Sequence, residues 1–201
     1  VSPEQRPLFH LSPTVGWLND PNGFSFYQGE YHLFYQYHPY DTNWGPMHWG
    51  HCKSKDMLHW ERLPAALAPD QPYDQNGCFS GSAAETPEGQ HILMYTGVRK
   101  DGNREFQTQC IAVGDGINYE KLPSNPVITK ELVPPGGSFQ DFRDPKIWWD
   151  GSQWLAVAGN RTEDGSGAVL LYASRDLKDW NFKGTIDRSR NQWGKMWECP
   201  D

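Results

Sequence analysis

Along residues 23–37, GFSFYQGEYHLFYQY, apolar and polar positions alternate, break at the polar YQGEY turn and resume. Alternation of period two is what a half-buried strand requires, so the segment predicts two strands joined by a turn. HILMYTGV (91–98) and TQCIAVG (108–114) follow the same rule, as do KIWWDGSQWLAVAGN (146–160), broken at WDGSQW, and GAVLLYASR (167–175). Helical spacing is absent except for a weak trace at 54–58. The pattern predicts an all-β chain.

The strands recur. SKDMLHW (54–60) matches SRDLKDW (174–180), and VGDGINY (113–119) lies between them, with aspartates at 56, 115 and 176 and closing aromatics at 60, 119 and 180. Both series step by 59 and then 61 residues. Sheets of about four short strands repeated at a fixed period predict a β-propeller, and sixty residues is long for one solenoid coil. The blades fall at roughly 15–70, 76–130 and 139–190, with a fourth beginning near 195. A propeller must close its ring to protect its edge strands, so three blades and the start of a fourth are expected to be part of a larger ring. The proline- and glycine-rich LVPPGGSFQ (132–140) predicts a loop that could border a site.

Each unit opens on a polar motif: Asp20 in WLNDPNG, Ser80 in CFSGSA, Asp144 in FRDPK and Glu198 in MWECPD, at steps of 60, 64 and 54. The first strand of each propeller blade lines the axis, so equivalent positions converge at one end of it. Taken singly, these motifs have a structural reading. Asn-Asp-Pro-Asn-Gly is a strong turn string, RDP suits a salt bridge ahead of a strand, and ECP suits a strand end. Their joint placement at the repeat period favours a common pocket holding three carboxylates. Clustering like charges costs free energy, and function is the usual compensation.

Composition narrows the chemistry. The chain carries 10 Trp, 9 Tyr and 9 Phe beside 20 Gly and 16 Pro, as strands separated by tight turns would need. A formal charge of −7 with 18 scattered Lys and Arg argues against nucleic-acid partners, and no apolar run approaches a membrane span. Cys52, Cys78, Cys110 and Cys199 form no C-x-x-C, so free, partly buried thiols are expected and no metal site is predicted. The seven histidines form no ligating pair with a supporting acid, although His48 and His51 frame Trp49 and could contact a sugar. Paired carboxylates among aromatics suit glycosidic bond cleavage: one acid protonates the leaving oxygen while another attacks the anomeric carbon. Trp17, Trp44, Trp49, Phe79 and Trp197 are candidate sugar-stacking faces, and Asn19, Gln36, Ser80 and Arg143 are candidate hydroxyl partners.

WLNDPNG, YHLFYQYHPYDTNWGPMHWGH, FSGSA, FRDPK and WECPD, in this order and spacing, resemble the signature blocks of the invertase-type glycoside hydrolases, which act on β-fructofuranosides. The resemblance runs from about His10 to Asp201. It implies a five-bladed propeller, usually followed by a β-sandwich that this span lacks, and a retaining site with no cofactor. By motif, Asp20 would be the nucleophile, Glu198 the general acid/base and Asp144 a transition-state stabiliser binding fructose hydroxyls. Asn19, Gln36, Trp44, Phe79, Ser80 and Arg143 would line the fructosyl subsite.

Retention implies nucleophile and acid/base carboxyls about 5 to 5.5 Å apart. Glu198 is expected to keep its proton through burial beside Trp197, and Arg143 to keep Asp144 charged. The NWGPMHWGH block resembles bacterial sucrose and sucrose-6-phosphate hydrolases. A small-molecule fructoside is therefore the expected partner and a cytoplasmic location the expectation, with a secreted form and a homo-oligomer as open alternatives. Lys100, Arg104 and Arg161 are candidates for a phosphate contact by loop position alone. A fructan hydrolase or fructosyltransferase is the alternative within the same chemistry, and a non-catalytic carbohydrate-binding propeller the alternative outside it.

Overall fold

The computed structural model describes residues 3–7 and 10–201. Among these residues twelve strands form three four-stranded antiparallel sheets, each meandering in chain order. The first sheet holds β1 (Trp17–Tyr27), β2 (Glu30–His38), β3 (His48–Ser54) and β4 (Glu61–Leu67). The second holds β5 (Gly77–Glu85), β6 (His91–Asp101), β7 (Arg104–Gly114) and β8 (Tyr119–Lys121). The third holds β9 (Gly137–Trp149), β10 (Trp154–Thr162), β11 (Gly167–Ser174) and β12 (Trp180–Arg188). β5 packs against β1 on one side and β9 on the other, so the first strand of every sheet is innermost. These are three consecutive blades of a β-propeller. Among the described residues no helix is long and apolar enough to cross a membrane.

The turns follow from the residues that form them. Gln28 and Gly29, at φ 49° and 84°, make the two-residue hairpin between β1 and β2, the positive-φ geometry that matches strand twist. The repeated aspartates close the turn between the third and fourth strand of each blade. Asp56 Oδ1 accepts the N–H groups of Leu58 and His59, Asp115 Oδ1 those of Ile117 and Asn118, and Asp176 Oδ1 those of Lys178 and Asp179, all at 2.8–2.9 Å. The following residue has positive φ each time: Met57 at 60°, Gly116 at 92° and Leu177 at 67°. This turn accounts for the weak helical trace at 54–58. The predicted loop at 132–140 is shorter than expected, because β9 begins at Gly137.

Blade stacking explains why HILMYTGV is apolar throughout. Ile92 and Met94 face the core shared with the third blade, among Phe142, Ile147 and Tyr172. Leu93 and Tyr95 face the core shared with the first, among Phe34 and Trp49. With both faces of the sheet covered, successive side chains are all buried, each fully buried Leu or Ile contributing roughly 1.5–3 kcal/mol.

Candidate active site

WLNDPNG is not a turn. It lies within the innermost strand β1 and breaks its pairing with β2 twice, between Leu18 and Pro21 and between Asn22 and Ser25. Pro21 has no N–H to give to a ladder, and an irregularity of this kind re-aims the side chains beside it. Asp20 is exposed here, and Asn22 is buried. Trp17 Nε1 donates to Asn19 Oδ1 at 2.8 Å, which fixes the Asn19 amide. Asp20 Oδ2 accepts a 3.0 Å hydrogen bond from Ser80 Oγ on β5, joining equivalent positions of two blades. Gln36, buried on β2, donates Nε2 to the Cys78 carbonyl at 3.0 Å.

Asp144, on β9, is 6% exposed and has φ 61°. A non-glycine residue held there costs of order 1–3 kcal/mol and persists only where its surroundings enforce it. Those surroundings are visible. The Asp144 N–H donates to Thr96 Oγ1 at 3.0 Å, and Asp144 Oδ2 accepts the Cys199 N–H at 3.2 Å. Thr96 Oγ1 in turn donates to Gln109 Oε1 at 2.9 Å, and Gln109 Nε2 donates to the Phe142 carbonyl at 2.8 Å.

The third acid comes from the segment after β12. Trp197 packs on Gly159 and Gly167, where a Cβ would overlap its carbonyl oxygen and its indole ring respectively. Glu198 then meets Arg143: Nε and Nη2 both donate to Glu198 Oε1, at 2.9 and 2.7 Å. Arg143 is held from its other side by Asp141 Oδ1 at 3.6 Å and by Gln107 Oε1 at 3.3 Å.

The nine residues that the family resemblance implies, Asn19, Asp20, Gln36, Trp44, Phe79, Ser80, Arg143, Asp144 and Glu198, line one cleft of about 380 Å³ at the meeting of the three innermost strands, whereas the other candidate faces, Trp17, Trp49 and Trp197, do not. Trp44 stands edge-on to Phe79, with ring centroids 5.9 Å apart, and is 51% exposed, which leaves it free to meet a ring. Glu105, Gln107, Gln140 and Asp141 also line the cleft and were not predicted. A signal for two of them was present. Glu105, Gln107 and Gln109 place a polar side chain at every second position of a strand whose inner half is buried, an alternation that aims them to one side of the sheet.

Several expectations need correction. Trp49 is fully buried and donates Nε1 to the Phe79 carbonyl, so it is a core residue supporting the cleft from behind. Trp197 is half-buried on the glycines of β10 and β11 and does not line the cleft. His51 is fully buried, with Nε2 3.0 Å from His32 Nδ1, and His48 is buried with Nδ1 on the Pro46 carbonyl, so neither faces a sugar. Glu198 is not buried beside Trp197: its side chain is 59% exposed and ion-paired with Arg143. Arg143, committed to Glu198, does not keep Asp144 in the ordinary carboxylate range. Burial pushes Asp144 up to about 6, outweighing the Cys199 N–H and the Arg143 charge. Lys100 pairs with Glu105 at 3.6 Å and Arg161 with Asp141 at 2.8 Å, Arg104 is exposed, and none of the three lines the cleft.

Three carboxylates and an exposed indole thus share one cleft at the axis of an all-β propeller. The chain belongs to the glycosyl hydrolases family 32: the pattern of that family's N-terminal domain matches residues 10–201. A sucrose-6-phosphate hydrolase of Zymomonas mobilis is 46% identical over 215 aligned residues, which take in 100% of this chain and 41% of that protein. Among solved structures, a Bombyx mori β-fructofuranosidase mutant in complex with sucrose superposes with TM-score 0.89 and 45% identity, over 100% of this chain and 42% of that one. A fructan 1-exohydrolase of Cichorium intybus in complex with 1-kestose gives TM-score 0.88 and 33% identity, over 100% and 38%. The chain thus spans about two-fifths of the length of these relatives.

Proposed function

We propose that the protein to which this chain belongs is a retaining β-fructofuranosidase that cleaves sucrose or sucrose 6-phosphate by double displacement. One observation carries the reading. Asp20, Asp144 and Glu198, from three separate blade positions, line one sugar-sized cleft beside the exposed ring of Trp44. The names of the relatives support the substrate class.

In the first step Asp20 attacks the anomeric carbon of the fructosyl unit, while Glu198 gives its proton to the departing glycosidic oxygen. Ser80 donates to one Asp20 oxygen and leaves the other to form the covalent bond. Asp144 accepts from ring hydroxyls, and its negative charge stabilises the oxocarbenium-like transition state. In the second step Glu198 takes a proton from water, which attacks the fructosyl-enzyme and frees Asp20.

The test uses the full-length protein with sucrose. Glu198→Gln should lower kcat by about 10²–10⁴-fold, the usual contribution of a general acid. Asp20→Asn should abolish the covalent fructosyl adduct seen by mass spectrometry after rapid quenching. Wild-type release of fructose with inverted anomeric configuration, followed by NMR, would rule out double displacement.

A further inference from the structure

A second groove adjoins the cleft between the second and third blades. It measures about 190 Å³, and Gln107 lines both spaces. Neighbouring residues alternate between the two: Glu105 and Gln140 line the cleft, while Phe106 and Phe139 line the groove. The Phe106 and Phe139 rings stack with centroids 5.2 Å apart and planes 19° apart. Arg99, opposite Phe106 in the β6–β7 register, lays its guanidinium 4.6 Å from the Phe106 centroid. Arg99, Phe106 and Phe139 therefore form one stack, which holds a cation in place through a ring rather than a carboxylate. Lys130 stands on the same groove, and among the described residues neither Arg99 nor Lys130 has an ion-pair partner. The carboxylate of Glu131, also on the groove, accepts a hydrogen bond from the Thr129 hydroxyl.

The charge of the neighbouring cleft gives this pair of cations a consequence. The cleft is lined by five carboxylates, Asp20, Glu105, Asp141, Asp144 and Glu198, against the guanidinium of Arg143 within it and the charges of Lys100 and Arg161, which pair with Glu105 and Asp141 from outside its lining, in a chain of net charge −7. A neutral disaccharide is indifferent to that field, whereas a sugar carrying a phosphate is repelled by it. A guanidinium presents a planar fork suited to phosphate oxygens, and an ammonium adds a mobile point charge.

We propose that this groove is the phosphate subsite of the enzyme, with Arg99 and Lys130 binding the phosphoryl group of a phosphorylated sugar whose fructosyl unit occupies the adjoining cleft. The inference rests on the fructosidase reading above and narrows its substrate to a sugar phosphate.

The experiment compares kcat/KM for sucrose and for sucrose 6-phosphate in the full-length wild type, Arg99→Gln, Lys130→Gln and the double variant, with the melting temperature recorded for each. Wild type should favour sucrose 6-phosphate. Each substitution should lower its kcat/KM about tenfold, mainly through KM, and change that for sucrose by less than about twofold. Arg99→Lys, which keeps the charge but not the fork, should lie between. Calorimetry with glucose 6-phosphate should show binding by wild type that the double variant loses. Cleavage of both sugars with a preference that the variants leave unchanged, or an equal loss on both, would overturn the phosphate subsite and leave the fructosidase reading standing. Wild type that cleaves neither sugar would overturn the fructosidase reading, and the glucose 6-phosphate titration would then judge the groove alone.

Discussion

Arg143 gives two hydrogen bonds, from Nε and Nη2, to the same oxygen of Glu198. The Glu198 side chain is 59% exposed, and exposed ion pairs of this kind add little to stability. Their consequence is geometric: the fork fixes Oε1 and leaves Oε2 free for the proton transfer proposed above. Arg143→Lys keeps the charge but loses the fork. It should lower kcat on sucrose by about 10²-fold, the penalty of a misplaced catalytic group, with a loss of stability of no more than about 1–3 kcal/mol from the weakened contacts to Gln107 and Asp141. Steady-state kinetics beside a thermal melt checks this, and a kcat within twofold of wild type would show that Glu198 needs no such support.

Asp144 predicts a pH dependence of defined sign. Its pKa is raised from 3.8 to about 6, chiefly by burial. Between about pH 4 and 6 the folded protein therefore holds a proton that the unfolded chain releases, and stability from this site falls as pH rises through 6. Two pKa units correspond to about 3 kcal/mol. Asp144→Asn should be more stable than wild type above pH 6 by up to that amount, since Asn also tolerates positive φ. It should be nearly inactive, because the carboxylate must be charged to stabilise the transition state. In the wild type, kcat/KM for sucrose should rise with pH through about 6. A flat profile between pH 5 and 7 would show that Asp144 is charged throughout.

Much of this arrangement was legible in the sequence because a propeller converts a period along the chain into proximity in space. Asp20, Ser80 and Asp144 recur at one place on successive innermost strands, so their spacing placed them together before any fold was known. What escaped lies where local chemistry and tertiary context disagree. WLNDPNG has turn composition, yet pairing with β2 keeps it in a strand, and its turn-forming residues become irregularities. The outer strands β4 and β12, ERLPAAL and WNFKGTIDR, are largely exposed, so no buried alternation marks them. Trp49 and Trp44 sit five residues apart in one motif, and only packing against Phe34 and Tyr95 distinguishes the buried ring from the exposed one. The Arg143–Glu198 pair joins residues 55 apart in sequence, and neither motif alone names its partner.

The seam between the first two blades predicts acid sensitivity. His91 is fully buried, with Nδ1 2.7 Å from the Tyr119 hydroxyl, Nε2 3.0 Å from Ser25 Oγ and its ring stacked on Tyr27. His51 is fully buried against His32 and Phe34. Burial holds both rings at about 3 and lowers His32 as well. As pH falls below 6.5 the unfolded chain takes up protons that the folded rings refuse, so stability is lost with acid. The loss is about 2 kcal/mol per ring at pH 5. Asp144 acts in the opposite sense over the same range and returns only about 1 kcal/mol between pH 7 and 5, so the histidines dominate. Urea unfolding should give a lower midpoint at pH 5 than at pH 7, and His91→Gln should reduce that difference. Equal midpoints at the two pH values would mean that the rings are protonated in the folded state.

Gly159 predicts a coupling between packing and chemistry. A Cβ there would overlap the Trp197 carbonyl oxygen, and the two residues that follow supply Glu198 and the Cys199 N–H that bonds Asp144 Oδ2. Gly159→Ala must therefore displace the segment that carries both. Overpacking of this kind costs about 1–3 kcal/mol, and a shift of about 1 Å at Glu198 should lower kcat about 10²-fold. Destabilisation alone would leave the pH profile of the surviving enzyme unchanged. Loss of the Cys199 hydrogen bond would not, because that bond lowers the Asp144 pKa against the push of burial, and without it the acid limb of kcat/KM should move to higher pH. An acid limb that stays in place while kcat falls would show that the segment moves without releasing Asp144.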